Sequence, residues 1–361
     1  MPTIVAVQIL RALAALAVVV SHFQFDLSRT IGSVAPYPVL QSGNAGVDLF
    51  FVLSGFVMVY ASEPLFARPG GALTFWSHRL IRIVPLYWLI TAIYLLVAAV
   101  APRFERSDSI VTAVTSLLFI PYPRADGFVQ PVIGQGWTLN YEMFFYAIFG
   151  LAVLWPRRIA VTIVSLTLAG MVASGVALAP RSVALAFWTD PIIIEFVFGM
   201  LIAAAYRQGL RLPAVACIAL LFAAAASFVI LTGLLSGLPA WRVLMWGVPA
   251  ALTVAGASLG DFALAGAPWR TLALVGDASY ALYLIHSFPV RAVTYFARWA
   301  ELDIARAYWL LLAAATAGAV AIAVALYYLF ERPVTRGLRA LIARPKHAAE
   351  APVPVATRRT P

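Results

Sequence analysis

Residues 4–23, I-V-A-V-Q-I-L-R-A-L-A-A-L-A-V-V-V-S-H-F, decide the fold class. They are apolar apart from Gln8, Arg11, Ser21 and His22, and they have the roughly 20-residue length that crosses a bilayer as helix. Arg11 ahead of the run Ala12–Val20 imitates the basic flank of a secretory leader. Residues 4–10 are apolar too, however, and no small-x-small cleavage site follows, so the stretch reads as a retained membrane helix. The remaining chain supports this. Of 361 residues, 63% are hydrophobic and 11% charged, with a mean hydropathy of +0.92, which leaves too little polar surface for a water-soluble fold of this size.

Further apolar stretches of spanning length lie near 44–61, 84–101, 137–155, 159–179, 189–206, 213–232, 241–259, 271–290 and 306–330, which makes ten. Residues 109–120 are too few to span and end at Pro121, as a re-entrant or interfacial segment would. With ten spans and both termini cytoplasmic, the inside collects Arg68, Arg79, Arg82, Arg157, Arg158, Arg207, Arg211, Arg270 and the basic tail. The two long outer segments, 24–43 and 102–136, carry balanced charge. An eleventh span would move a basic cluster to the wrong side. The expectation is therefore an all-α, polytopic integral membrane protein with ten transmembrane helices, N-in and C-in. Residues 1–333 form its transmembrane domain, and 334–361 a basic cytoplasmic interfacial segment followed, from 345, by a disordered tail.

The net charge of +10 is scattered through short loops and the tail, where it orients a membrane protein, so no nucleic-acid partner is expected. A single cysteine, Cys217, excludes a disulfide framework and a thiolate metal site within one chain, and no basic residue near it in sequence would activate a thiol nucleophile. The histidines His22, His78, His286 and His347 lack metal-ligand spacing, so no metal site is expected.

Ionisable residues within spanning segments cost several kcal/mol and are functional candidates until a structural pairing explains them. Arg11 and His22 stand eleven residues apart, about three turns, and so share a helix face with a rise of roughly 16 Å between them. A snorkelling arginine and an interfacial histidine would also explain the pair. Asp48, in G-V-D-L-F-F-V-L-S-G-F, is expected at the outer level of His22, where it would orient an imidazole acting as general base or else satisfy a helix N-terminus. Gly55 and Ser54 in the same motif suit close helix packing. Glu142, in W-T-L-N-Y-E-M-F-F-Y, is expected at that outer level too, with Trp137 and Tyr141 as supporting residues or as members of an interfacial aromatic belt. So is His286, in G-D-A-S-Y-A-L-Y-L-I-H, with Ser279 seven residues earlier on nearly the same face. Glu195 reads as a buried hydrogen-bonded strut. Arg79 and Arg82 neighbour one another on the cytoplasmic side and suit either a phosphate-bearing ligand or lipid headgroups.

The set R-x(10)-H, G-V-D-L-F-F-V-L-S-G-F, R-L-I-R-I-V-P-L-Y-W, W-T-L-N-Y-E-M-F-F-Y, S-Y-A-L-Y-L-I-H and Y-Y-L-F-E-R-P, spread over residues 4–333, resembles the acyltransferase-3 family of bacterial membrane enzymes. The wording is similar to its exopolysaccharide-production branch. The resemblance implies an O-acyltransferase of the bacterial inner membrane, drawing an acyl group, usually acetyl, from cytoplasmic acyl-coenzyme A. Its acceptor would be a polysaccharide or lipid-linked glycan hydroxyl on the outer side. It places the essential histidine at His22, with Asp48 and Glu142 as the recurrent acids and Arg11, Arg79 and Arg82 as donor-binding residues. Ser279, His286, Trp137 and Tyr141 are candidate acceptor-side or supporting residues. Membrane lipids and polysaccharide-assembly proteins are the further candidate partners. In the direct route His22 deprotonates the hydroxyl; an acetyl-histidine intermediate is the covalent variant. A transporter or flippase that passes a lipid-linked sugar or anion along the same charged track is the rival from another class.

Overall fold

The computed structural model describes residues 4–31, 41–100, 109–235, 237–238, 241–262 and 264–343. The expected disordered tail and parts of the two long outer segments lie outside the described residues. Fifteen α-helices follow in order: α1 (Val5–Ile31), α2 (Ala45–Ala61), α3 (Gly71–Val100), α4 (Ile110–Leu117), α5 (Trp137–Ala152), α6 (Arg157–Leu178), α7 (Val183–Trp188), α8 (Ile194–Arg207), α9 (Ala214–Leu235), α10 (Val248–Ser258), α11 (Ala267–Asp277), α12 (Ser279–Ile285), α13 (Ser287–Trp299), α14 (Ile304–Leu326) and α15 (Arg332–Ala343). Among the described residues the only strand-like pairing is an isolated bridge between Pro123 and Val129. Among the described residues six helical runs are long and apolar enough to cross a membrane: Val5–Thr30, Gly71–Val100, Arg157–Leu178, Val183–Arg207, Ala214–Leu235 and Ile304–Ile342.

The quoted first stretch becomes the centre of the bundle, where α1 packs against α2, α11, α12, α13 and α14. Its small and β-branched side chains, Ala12, Ala14, Ala15, Val18 and Val19, are buried by these neighbours. By contrast α6 and α9 turn apolar residues such as Leu166, Val176, Phe222, Val229 and Leu234 outward. Exposed apolar surface of this extent requires a hydrocarbon solvent. The helices inside approach closely where a side chain is missing. A Cβ on Gly55 would come within 2.0 Å of the Phe196 carbonyl oxygen, and one on Gly199 within 1.8 Å of that of Val52, so α2 and α8 are locked backbone to backbone.

Several apolar stretches are not single helices, and proline is the common reason. A proline has no N–H for the carbonyl four residues earlier and its ring crowds that carbonyl. Pro249 follows a π-helical turn at Val243–Gly247, and Pro333 follows another at Tyr327–Glu331. Pro289 sits four residues after Ile285, where α12 ends. The stretch 271–290, read from sequence as one span, is thus three helices that meet at Ala278 and His286. The short segment before α5 also fits its sequence reading. α4 has only eight residues, and the chain then descends so that Gln135 and Thr138 are buried inside the bundle.

Several helix ends share one face. Ile4, Tyr60, Tyr206, Arg211 and Asp261 line one recess, and Glu63 forms an ion pair with Arg157 at 2.8 Å and lies 3.9 Å from Arg207. The start of α1, the end of α2, the start of α6 and the ends of α8 and α10 therefore lie together.

Candidate active site

A cleft opens between α1, α2, α3, α5 and α12. Three arginines from two helices enter it: Arg11 from α1, and Arg79 and Arg82 from α3. Arg79 lies over the rings of Phe75 and Tyr146, at 5.6 and 5.9 Å, and its buried Nε has no hydrogen-bond partner among the described residues. Among the described residues Arg11 hydrogen-bonds only to Gln8 Oε1, at 3.5 Å. Among the described residues none of the three closes an ion pair with a carboxylate. Glu142 shares the cleft, while Glu331 and Asp277 stand within electrostatic range of Arg11 and Arg82. Charge balanced at a distance lowers the cost of guanidiniums inside a membrane protein while leaving their donors free.

The sequence reading expected Glu142 at the level of His22. It sits instead at the arginine level, accepting hydrogen bonds from Ser54 Oγ at 3.1 Å and from the Tyr146 hydroxyl. The cause is the buried start of α5. Gln135 Nε2 donates to the Leu284 carbonyl at 3.1 Å, and the Tyr283 hydroxyl donates to the Gln135 carbonyl at 2.9 Å, which holds the first turn of α5 deep in the bundle. By Glu142 the helix has run more than a turn further inward from its start at Trp137. Ser54, read as a packing residue, thereby gains a polar role.

From the arginines the cleft continues along α12. Ser279, whose buried Oγ has no hydrogen-bond partner among the described residues, lines it, as do Tyr283, Thr138 and Phe50. The Tyr283 ring lies 6.1 Å from that of His286, which is fully buried. His286 Nε2 is 2.5 Å from His22 Nδ1. One helical turn outward from His22, Asp26 accepts a hydrogen bond from Thr294 Oγ1 at 2.5 Å and faces Arg291 Nε at 3.9 Å. Arg11 and His22, eleven residues apart on α1, are separated by about 16 Å of rise, with Arg11 in the cleft and His22 against His286.

Asp48 is not part of that line. Its carboxylate, fully buried, is gripped bidentately by Arg242, at 2.7 Å from Nη2 and 3.0 Å from Nε. Neither Asp48 nor Glu142 contacts His22, which corrects the expectation that one of them orients the imidazole. The Arg242 guanidinium lies over the rings of Trp246 and Trp137, at 4.8 and 5.8 Å. Trp137 and Tyr141 belong to this cluster, with Tyr141 stacked on Phe187 at 3.9 Å, rather than to the cleft. Glu195 is buried as expected, yet neither oxygen accepts a hydrogen bond among the described residues. It faces Asp48, and a Cβ on Gly247 would stand 2.8 Å from its Oε1. Sequence reasoning missed Arg242, although an arginine between two tryptophans at the head of an apolar stretch was the available signal. It missed Gln135, Thr138 and Tyr283 because only the fold makes them neighbours.

Fold and site together define a multi-pass membrane protein with a cation-lined internal cleft and, beyond the Tyr283 that lines it, a contacting pair of histidines. The family model described as an acyltransferase domain matches residues 4–328, and the chain belongs to this acyltransferase-3 family. It is 36% identical to the exopolysaccharide production protein ExoZ of Rhizobium meliloti, across 82% of this chain and 91% of the relative. With the acyltransferase MdmB of Streptomyces mycarofaciens it shares 29% identity across 96% of this chain and 94% of that protein. No solved structure matches the chain. The protein is a membrane acyltransferase.

Proposed function

We propose that the protein moves an acyl group, acetyl first among candidates, from cytoplasmic acyl-coenzyme A to a hydroxyl of a surface polysaccharide or its lipid-linked precursor on the outer side of the bacterial inner membrane. The observation that carries this reading is the convergence of Arg11, Arg79 and Arg82, without closed ion pairs among the described residues, on a cleft whose wall residue Tyr283 neighbours His286, the partner of His22. Guanidiniums with free donors suit the phosphates of coenzyme A, and the part of the cleft lined by Ser279 and Tyr283 suits its extended arm. The name of ExoZ, a protein of exopolysaccharide production, supports the acceptor class.

In this reading ten spans place both termini in the cytoplasm, residues 1–333 form the catalytic unit, and 334–361 form the basic interfacial segment and tail. The clustering of the start of α1 with Arg157, Arg207 and Arg211 at one face supports that orientation. The reaction is a direct displacement. His22 removes the proton of the acceptor hydroxyl as its oxygen attacks the thioester carbonyl carbon. The tetrahedral intermediate collapses by breaking the C–S bond, and the imidazolium returns the proton to the departing thiolate. Glu142, tied to Ser54 and Tyr146, shapes the donor end of the cleft. Asp48 serves the site by holding Arg242 and the helices on either side.

The test is reconstitution of the purified protein in liposomes with acetyl-coenzyme A inside and candidate glycans outside. Release of free coenzyme A thiol that depends on the glycan, and that disappears in His22→Ala, is the expected result. Movement of the glycan without thiol release under any acceptor would instead assign a transporter.

A further inference from the structure

We infer that His286 is the positioning residue that fixes the tautomer of His22, an inference that rests on the reading of His22 as the base. His286 caps the C-terminal end of α12 with its ring fully buried. Its Nδ1 lies 2.8 Å from the Tyr283 carbonyl oxygen and 3.2 Å from that of Leu282. Carbonyl oxygens only accept, so Nδ1 carries a hydrogen and Nε2 of the neutral ring is left as an acceptor. Nε2 meets His22 Nδ1 at 2.5 Å, so His22 donates there, and its own lone pair stands at Nε2. The ring centroids are 4.8 Å apart with planes inclined by 22°. The difference between that separation and the nitrogen–nitrogen distance is about two ring radii, so the imidazoles meet edge to edge in a nearly in-plane hydrogen bond.

The chain of donors therefore runs from His22 through His286 to a helix end, and it leaves one base, His22 Nε2, for the acceptor hydroxyl. When that nitrogen takes the hydroxyl proton, the imidazolium still donates through Nδ1 to a neutral ring. The positive charge that develops is turned through His286 toward the carbonyl oxygens of Tyr283 and Leu282. In a serine-protease triad a buried carboxylate holds the tautomer and meets this charge. Here the nearby carboxylates are committed elsewhere: Asp48 to Arg242, Glu142 to Ser54 and Tyr146, Asp26 to Thr294. A neutral imidazole and the backbone carbonyls behind it hold the tautomer, while Asp26, one turn outward and within electrostatic range, is bonded to Thr294 rather than to the base.

The test compares His286→Leu and His286→Met, which remove the acceptor, with His286→Gln, whose side-chain carbonyl can still accept from His22 Nδ1. Full-length variants in liposomes are assayed with acetyl-coenzyme A and one fixed glycan acceptor. The acceptor-free variants should lose roughly 10²–10⁴-fold in kcat, the usual worth of a correctly protonated base, with KM for acetyl-coenzyme A little changed. His286→Gln should recover about tenfold or more of the lost rate, as a restored hydrogen bond to a charged group would. Wild-type kcat in an acceptor-free variant overturns the proposal, as does a glutamine variant that melts like wild type yet turns over no faster than the leucine and methionine variants. His22→Ala run in parallel separates the two readings. Turnover that survives it sinks the role of His22 itself, whereas an inert His22→Ala beside a fully active His286→Leu sinks only the positioning role.

Discussion

At the scale of single residues, two arginine sites that look alike in sequence do opposite things. Arg82 closes no ion pair among the described residues, so removing it takes away a ligand contact and little of the fold. Arg82→Gln should weaken coenzyme A binding by about tenfold or more, since a hydrogen bond to a charged group is worth ~1.5–3 kcal/mol. Arg82→Lys should restore only part of it, because an ammonium lacks the planar fork that meets phosphate bidentately. Binding of coenzyme A to detergent-purified protein checks both, and unchanged affinity in Arg82→Gln would remove this residue from the donor site. Arg242 is the reverse case. It clamps a fully buried carboxylate, so Arg242→Met or Asp48→Asn alone should cost about 3–5 kcal/mol, the penalty for stranding one partner of a buried pair. The Arg242→Met/Asp48→Asn double variant should melt well above the sum of the two losses, because the stranded charge is gone. Strict additivity of the three melting curves would mean that the clamp adds nothing.

At the scale of elements, the tightest constraint is the crossing of α2 and α8. Gly199→Val would press a side chain into the Val52 carbonyl, a backbone atom that no rotamer change can move. Its cost should reach or exceed the ~3 kcal/mol top of the usual overpacking range. Activity should fall with it, since α2 carries Ser54 and Val47 to the cleft. A Gly199→Val protein with wild-type melting temperature and turnover would contradict so close an approach of the two backbones. Element identity was largely readable in the sequence because a spanning helix must satisfy its own backbone, which forces long apolar runs such as 4–23. Breaks inside those runs were not. Pro249, Pro289 and Pro333 are visible as letters, but whether a proline ends a helix or is accommodated inside one, as Pro85 is within α3, is decided by the neighbours that take up the freed carbonyl. The same limit explains the site. The face shared by Arg11 and His22 follows from helix geometry alone, whereas the depth of Glu142 depends on Gln135 bonding to a carbonyl 149 residues away.

At the scale of the whole molecule, the donor and acceptor ends of the proposed reaction must lie on opposite sides of the bilayer. The line from Arg82 to His22 fixes which end is which once one helix is oriented. The sequence offers a direct way to orient it, because Cys217 is the only cysteine and it is buried. Cys217→Ala supplies a blank background for single exposed reporters. Gln208 follows the last turn of α8 at the face that gathers Arg207 and Arg211, and Glu301 lies beyond α13 at the far end of the path from Ser279 through His286; both are exposed. In intact cells whose outer layers admit the reagent, a membrane-impermeant maleimide should label Glu301→Cys and leave Gln208→Cys unlabelled. After the membrane is opened, both should react. The positive-inside argument rests on charge counts, whereas this labelling rests only on access, so the two are independent. Gln208→Cys labelled in intact cells would invert the molecule, placing the arginine end of the cleft outside, where no acyl-coenzyme A is supplied. The proposed donor path would then fail however well the cleft fits its phosphates.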